Sequence, residues 1–246
     1  ASAEVRQDTT QIVEVETRDG NVFLGTLLSE TEKQIVIRTD LFGDLTLKRA
    51  DIRRITRIPA TQVRNGEVWY RSAHDTRYFF QSNAFNLRRG EGYYQNAWVL
   101  FNQVSYGLIR NFSMGAGFVP TFLFGEAETP VWITPKLSIP LKQESFTLGV
   151  GGIMGTLVGE GGSAGILYGN LTVGDRDRNL TVAGGYGYAD EESGEILFGL
   201  SGSVRVRPKL SLMTENYVFA RTFISFVGFR HIGRRLAIDG ALAIPE

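Results

Sequence analysis

The chain has no cysteine among its 246 residues and only two histidines, His74 and His231. The first absence excludes a disulfide scaffold, a zinc-thiolate centre and a thiol nucleophile together. The second leaves little imidazole for metal ligation or general-base work. No run of about 18 apolar residues occurs, so no transmembrane helix is expected. That absence says nothing against a β-barrel, whose strands carry only an alternating signal. With 26 basic and 26 acidic side chains the formal charge is zero, and nothing sequence-wide draws the chain toward nucleic acid. The opening ASAEV has no basic-then-apolar leader; it fits a mature start after signal cleavage and fits a cytoplasmic start equally.

What the sequence does have is alternation. In residues 112–124, FSMGAGFVPTFLF, one face collects Phe112, Met114, Ala116, Phe118, Pro120, Phe122 and Phe124, and the other Ser113, Gly115, Gly117, Val119 and Thr121. Period two predicts a strand. A bulky apolar face opposite a small or polar one predicts lipid outside and a narrow interior. Phe112, Met114, Phe118, Phe122 and Phe124 are therefore expected to face lipid.

Residues 11–58 predict a separate five-stranded unit with tight turns at Asp19-Gly20, 30–33 and 42–44. Val13, Val15, Leu27, Ile35, Ile37, Leu45 and Leu47 are its expected core. The order of strand, Asp-Gly turn, strand containing Gly25 and third apolar strand resembles the Sm-like, SH3-type small barrel. In that superfamily loops bind RNA, but its RNA-contacting residues are not recognisable here. The basic run Lys48, Arg49, Arg53, Arg54 and Arg57 is interleaved with Asp51 and reads as a solvated face, so no nucleic-acid partner is expected. Residues 59–76 read as a linker, with Trp69 and Tyr70 placed to pack it against a barrel rim.

Residues 77–246 read as an antiparallel up-and-down transmembrane β-barrel of about 10–12 strands. Eleven are expected, at 78–87, 94–109, 112–124, 131–141, 146–158, 164–174, 180–189, 196–207, 210–219, 222–232 and 236–244. Turns alternate between tight ones and longer acidic ones at 125–130, 159–163 and 190–195, a pattern expected of periplasmic and outer ends respectively. Bacterial single-chain barrels have even strand counts. Eleven therefore implies a missing closing strand or one segment that is not a strand. Tyr93, Tyr94, Trp98, Trp132, Tyr186, Tyr188, Phe223 and Phe229 are candidates for interfacial girdles. Pro135 and Pro140 sit awkwardly within one strand.

The phrases TRYFFQSNAFNLRRGEGYYQN, NFSMGAGF, ITPKLSIPL, NLTVAGGYGY and TENY at 214–217 resemble an uncharacterised group of outer-membrane barrel proteins from Bacteroidetes-type bacteria. The resemblance spans residues 77–244. It implies the outer membrane, a barrel with one further strand and no particular activity.

Turning the oily faces outward sends Lys136, Arg205, Arg207, Glu215 and Asp239 inward, where buried charge must be paired or hydrated. An internal ion-pair network in a narrow lumen is the expectation, with inward Gly149, Gly151, Gly185, Gly187, Gly199, Ala237 and Ala241 leaving space. Arg230 is ambiguous in phase. No catalytic residue, metal or cofactor is expected. A membrane-embedded hydrolase would need His231 beside Ser225 or Ser211. At 176–179 the carboxylate is interleaved with Arg, and those at 190–195 lack calcium-loop spacing, so both read as solvated turns. The functional expectation is an outer-membrane scaffold with a periplasmic adaptor domain that docks an envelope protein. The alternatives are a small-solute or ion channel and, at the level of fold, a soluble lipocalin-like binder with Phe112, Phe118 and Phe122 turned inward.

Overall fold

The computed structural model describes residues 11–125, 128–142, 145–159, 161–190, 192–220, 222–233 and 236–245. The protein is all-β and divides into two units, Ala1–Arg71 and Ser72–Glu246. The stretch read as a linker is thereby shared between them.

In the first unit β1 (Ile12–Thr17), β2 (Val22–Glu30), β3 (Gln34–Thr39), β4 (Gly43–Lys48) and β5 (Ile52–Arg57) form an antiparallel sheet in the order β4-β3-β2-β1-β5. Gly20 takes the positive φ of 91° that the Asp-Gly turn requires. Gly25 is required for a different reason: a Cβ there would stand 2.5 Å from the carbonyl oxygen of Arg38 on β3. Val13, Val15, Ile35, Ile37 and Ile52 form the buried core, with Phe23, Leu27, Leu45, Leu47 and Ile55 packed on it. Full burial of such a side chain stabilises by about 1.5–3 kcal/mol. A two-residue hairpin pair follows, β6 (Val63–Arg64) and β7 (Glu67–Val68). Beyond it Tyr70 donates to Glu14 at 2.8 Å, and Arg64 lies 4.6 Å over the Trp69 ring. The basic run is largely paired: Arg49 and Arg57 both reach Glu30, and Arg53 reaches Glu16.

The second unit is an eleven-stranded antiparallel sheet in strict sequence order. Its strands are β8 (Gly92–Ala97), β9 (Phe101–Ile109), β10 (Phe112–Phe118), β11 (Thr129–Lys142), β12 (Phe146–Val158) and β13 (Gly161–Gly174). They continue with β14 (Arg178–Ala189), β15 (Glu192–Arg207), β16 (Leu210–Phe219), β17 (Thr222–Ile232) and β18 (Ala237–Pro245). The edge strands β8 and β18 do not pair with each other among the described residues.

The strand count matches the expectation by two compensating differences. Residues 78–87 are not a strand of this sheet, whereas 94–109 is two strands joined by a tight hairpin. That hairpin was hidden because Trp98 and Val99, at φ 47° and 68°, hold a left-handed turn without the usual Asn or Gly. Two further differences concern turns. β13 and β15 begin at Gly161 and Glu192, so the supposed longer loops at 159–163 and 190–195 are mostly strand; among these connections only the β10–β11 one stays long. β10 itself stops at Phe118, and Phe122 and Phe124 belong to a short 3-10 turn, Thr121–Phe124, where period-two facing no longer applies.

Along β10 the alternation holds. Met114, Ala116 and Phe118 are exposed, and Ser113, Gly115 and Gly117 are buried, with Phe112 half-buried at the strand start. Phe118 is 43% exposed, so the inward facing required by the lipocalin-like alternative is not found. Exposed apolar side chains continue around the sheet, among them Leu137, Leu148, Leu171, Val182, Leu200 and Val227. Pro135 stays in its strand: pairing with β10 runs through Met114↔Pro135, while the β11–β12 pairs skip from Ile133 to Lys136. Pro140 falls where the register shifts before Lys142. Of the proposed girdle, Trp132 and Tyr93 share the inner face with Gly117 and Ser105, whereas Tyr94, Trp98, Tyr186 and Phe229 are exposed.

Candidate functional site

The inner face of the large sheet is occupied by the chain's own residues 72–88. Tyr78, Phe79, Ala84, Phe85 and Leu87 are buried there beside buried Gln81, Asn83 and Asn86. A short 3-10 turn, Ala73–Thr76, opens the segment, with Ser72 accepting from the His74 backbone N–H. Beyond it the backbone has almost no partner strand, apart from one bridge between Arg77 and Ser82. Buried peptide groups need partners, and these come from side chains pointing inward from the sheet.

Glu215 on β16 is wholly buried and accepts the backbone N–H groups of Phe79 (2.8 Å) and Phe80 (3.0 Å), with the Tyr217 hydroxyl donating at 2.6 Å. Thr172 on β13 accepts the Ala84 N–H at 2.7 Å, and Ser138 on β11 donates to the Ala84 carbonyl at 2.5 Å. Asn170 donates to the Ser82 carbonyl and Lys136 to the Thr76 carbonyl, at 2.7 and 3.1 Å. Ser201 donates to the Gln81 side chain, and the Tyr78 hydroxyl meets Asn179 and Thr181. From β17, Arg230 donates to the carbonyls of His74, Arg77 and Tyr78 and holds Asp239 of β18. Strands from β11 to β18 thus converge on one short segment, which they can do only if the sheet curls around it.

Glycine makes the close approach possible. A Cβ on Gly149 would lie 3.0 Å from the Ala84 Cα, and one on Gly107 2.1 Å from the Arg88 carbonyl oxygen.

The five charges expected inside have separate fates. Lys136, Glu215 and Asp239 face inward as expected, but each bonds to the inserted segment or its flank rather than to the other two. Arg205 is buried and is tied to a turn, reaching Asp177 at 3.2 Å and the Pro208 carbonyl. Arg207 is exposed, because a register shift between Arg205 and Arg207 turns the later residue outward. The residue with the unreadable phase, Arg230, is inside and 3% exposed. Its signal in the sequence was pairing with Asp239 across a short hairpin. Sequence reasoning missed Arg77, Gln81 and the whole 72–88 insertion.

Contacts cluster at the end of the sheet that carries the β9–β10, β13–β14 and β15–β16 turns. Arg176 in one of these turns joins Asp75 at 2.7 Å and the Asn86 carbonyl at 2.9 Å. The opposite end holds a cavity of about 1180 Å³ whose floor includes Arg77, Phe80 and Gln81. Around it the polar groups mostly serve one another: Gln103 accepts from the Trp132 indole N–H at 2.9 Å and donates to Ser105 at 3.0 Å.

The hydrolase constellation does not form. Ser211 pairs with Arg230 and is buried on the inner face, whereas His231 points outward. Ser225 shares His231's face but lies six residues away, about 20 Å along an extended strand, and donates to Asn216. Among the described residues no cluster of three metal-ligating side chains occurs. Comparison with protein-family models, curated proteins and solved structures finds no match to this chain.

Proposed function

We propose that the protein is an outer-membrane β-barrel protein of the bacterial envelope, a scaffold rather than a channel, with an N-terminal Sm-like small barrel on the periplasmic side available to an envelope partner. The observation that carries this reading is the insertion of residues 72–88 into the inner face, held by buried side chains of successive strands. A path for solutes would have to displace those bonds, and each buried polar group left unpaired costs about 1–3 kcal/mol. The lipid setting is supported by the outer face, where Phe118, Leu148, Leu171, Val182, Leu200 and Val227 stand exposed in alternation with small or polar inward residues. A soluble chain has little use for so continuous an apolar surface. In this reading the sheet closes in the membrane, and outward phenylalanine and leucine meet hydrocarbon.

Planar-bilayer recording on the purified full chain tests the proposal. The unaltered protein is expected to give no sustained single-channel current. A Glu215→Ala variant, which releases the Phe79 and Phe80 amides, is expected to give intermittent openings. Large, steady currents from the unaltered protein would overturn the scaffold reading in favour of the channel.

A further inference from the structure

The cavity beside the inserted segment has a division of character that its position alone does not require. Along the inner face of β12 to β15 small and aliphatic residues, Gly155, Gly185 and Gly187 with Ile153, Ile166 and Leu197, line it beside the Tyr168 ring. Facing them are aromatic rings, Tyr93, Phe101, Trp132, Tyr217 and Phe226. At about 1180 Å³ the space exceeds the roughly 300–1,000 Å³ typical of pockets for drug-sized ligands. Such pockets are mainly apolar with a few placed polar groups.

Several of the polar groups here are spent on one another. The Gln103 amide is bonded at both ends, to Trp132 and Ser105, and the Tyr217 hydroxyl is given to Glu215. One side chain at the floor differs. Gln81 is 8% exposed, its Oε1 accepts from Ser201 at 2.7 Å, and its Nε2 has no acceptor. A buried amide N–H without a partner is costly. Lys136 also borders this floor, with one of its three ammonium donors given to the Thr76 carbonyl. These walls are mainly apolar, with Gln95, Thr134 and Glu195 among the polar residues that also line them. A molecule with one accepting end and an apolar body fits them.

We propose that this cavity binds a single-chain amphiphile, whose carbonyl or carboxylate end accepts from Gln81 Nε2 at the floor that Lys136 also lines, while its hydrocarbon body lies between the aromatic wall and the glycine recess. The site belongs to the inner face and stands whether the barrel is a scaffold or a channel.

The test uses the full chain in phospholipid nanodiscs, with Trp69→Phe and Trp98→Phe leaving Trp132 as the sole indole. The probe is 11-bromoundecanoate, a heavy-atom quencher, competed with dodecanoate or with lauroyl lysophosphatidylcholine. Saturable quenching of Trp132 is expected. Displacement by dodecanoate would assign a free carboxylate, and displacement by the lysolipid an ester carbonyl. Gln81→Leu should weaken binding at least tenfold, and Gln81→Glu should do the same for the carboxylate by placing like charge at the floor. Gly187→Leu should abolish binding by filling the recess; its Cβ would meet little besides the flexible tip of Leu197, at 3.2 Å, so folding should survive. Quenching that rises without saturation and equally in all variants would be partition into the bilayer, and would overturn the proposal. Saturable quenching indifferent to both Gln81 variants would overturn it as well.

Discussion

Arg230 grips Asp239 on the neighbouring strand with two bonds, Nε to Oδ1 at 2.6 Å and Nη2 to Oδ2 at 2.8 Å, and the same guanidinium reaches three backbone carbonyls of the inserted segment. Arg77 joins the same carboxylate from the segment itself, at 3.1 Å. The pair therefore ties β17 and β18 to residues 74–78 at one point. Removing one partner of a buried pair leaves the other uncompensated and costs about 3–5 kcal/mol. Arg230→Met should lower the denaturation midpoint, followed by heat-dependent gel mobility, and should expose residues 74–80 to hydrogen exchange. The double variant Arg230→Met/Asp239→Leu should cost less than the sum of the two single changes, although it also leaves Arg77 without its carboxylate. Full additivity of the two single changes would show that the pair is not the tie.

Facing on β10 separates two substitutions one residue apart. On the proposed membrane reading, Phe118→Arg places charge on the lipid-facing side and is expected to cost about 2–4 kcal/mol if that depth is near the bilayer midplane. Gly117→Arg acts inside, where even a Cβ would come within 2.4 Å of the Trp132 ring. The first defect should shrink in a thinner bilayer and the second should not, as read from folding yields into vesicles of two chain lengths.

The β8–β9 hairpin stores strain that can be removed. Val99 is β-branched yet sits at φ 68°, directly after Trp98 at φ 47°. Replacing the pair by Asn-Gly should stabilise the hairpin by about 1–3 kcal/mol of relieved backbone strain, less whatever the Trp98 ring contributes against Phe80 at 5.2 Å. An Asn-Gly variant with a lower unfolding temperature would show that the Trp98 contact outweighs the strain.

In the first unit Glu30 lies between Arg49 and Arg57, at 2.8 and 2.9 Å. Partial burial pushes its carboxyl upward, but the two hydrogen bonds and both positive charges outweigh this and hold it below the ordinary glutamate value. A depressed folded-state pKa means stability that is present above the unfolded value and is lost as pH falls through the folded one. A fragment of residues 1–71 should therefore fold, keep its urea midpoint from pH 7 to about 5, and lose stability below about 4.5. Exposed pairs are each worth about 0.2–1 kcal/mol, and Glu30→Gln should remove that share of the acid sensitivity. A disordered amide spectrum for the fragment would end the two-unit reading.

Local pattern determined much of this molecule. The strands at 146–158, 210–219 and 222–232 begin and end where alternation places them, and Val13, Val15, Ile35 and Ile37 fill the small core as their spacing requires. Period two reports which face of a strand is apolar, and the long hairpin-linked strands of the second unit make that local fact nearly sufficient. It fails wherever the answer depends on distant partners. Residues 78–87 look like one more strand because they are rich in aromatics, yet their amides are taken by Glu215 and Thr172, far along the chain. A single register shift puts Arg205 inside and Arg207 outside, against strict alternation. Lys136, Glu215 and Asp239 share the inner face as the pattern demands, but the inserted segment stands among them: Lys136 and Glu215 bond its backbone and Asp239 its Arg77 side chain, rather than each other. Sequence set the faces because facing is a property of neighbours in the chain. Only the fold could set the contents of the interior, because a buried peptide group bonds whichever donor or acceptor the packing brings within about 3 Å.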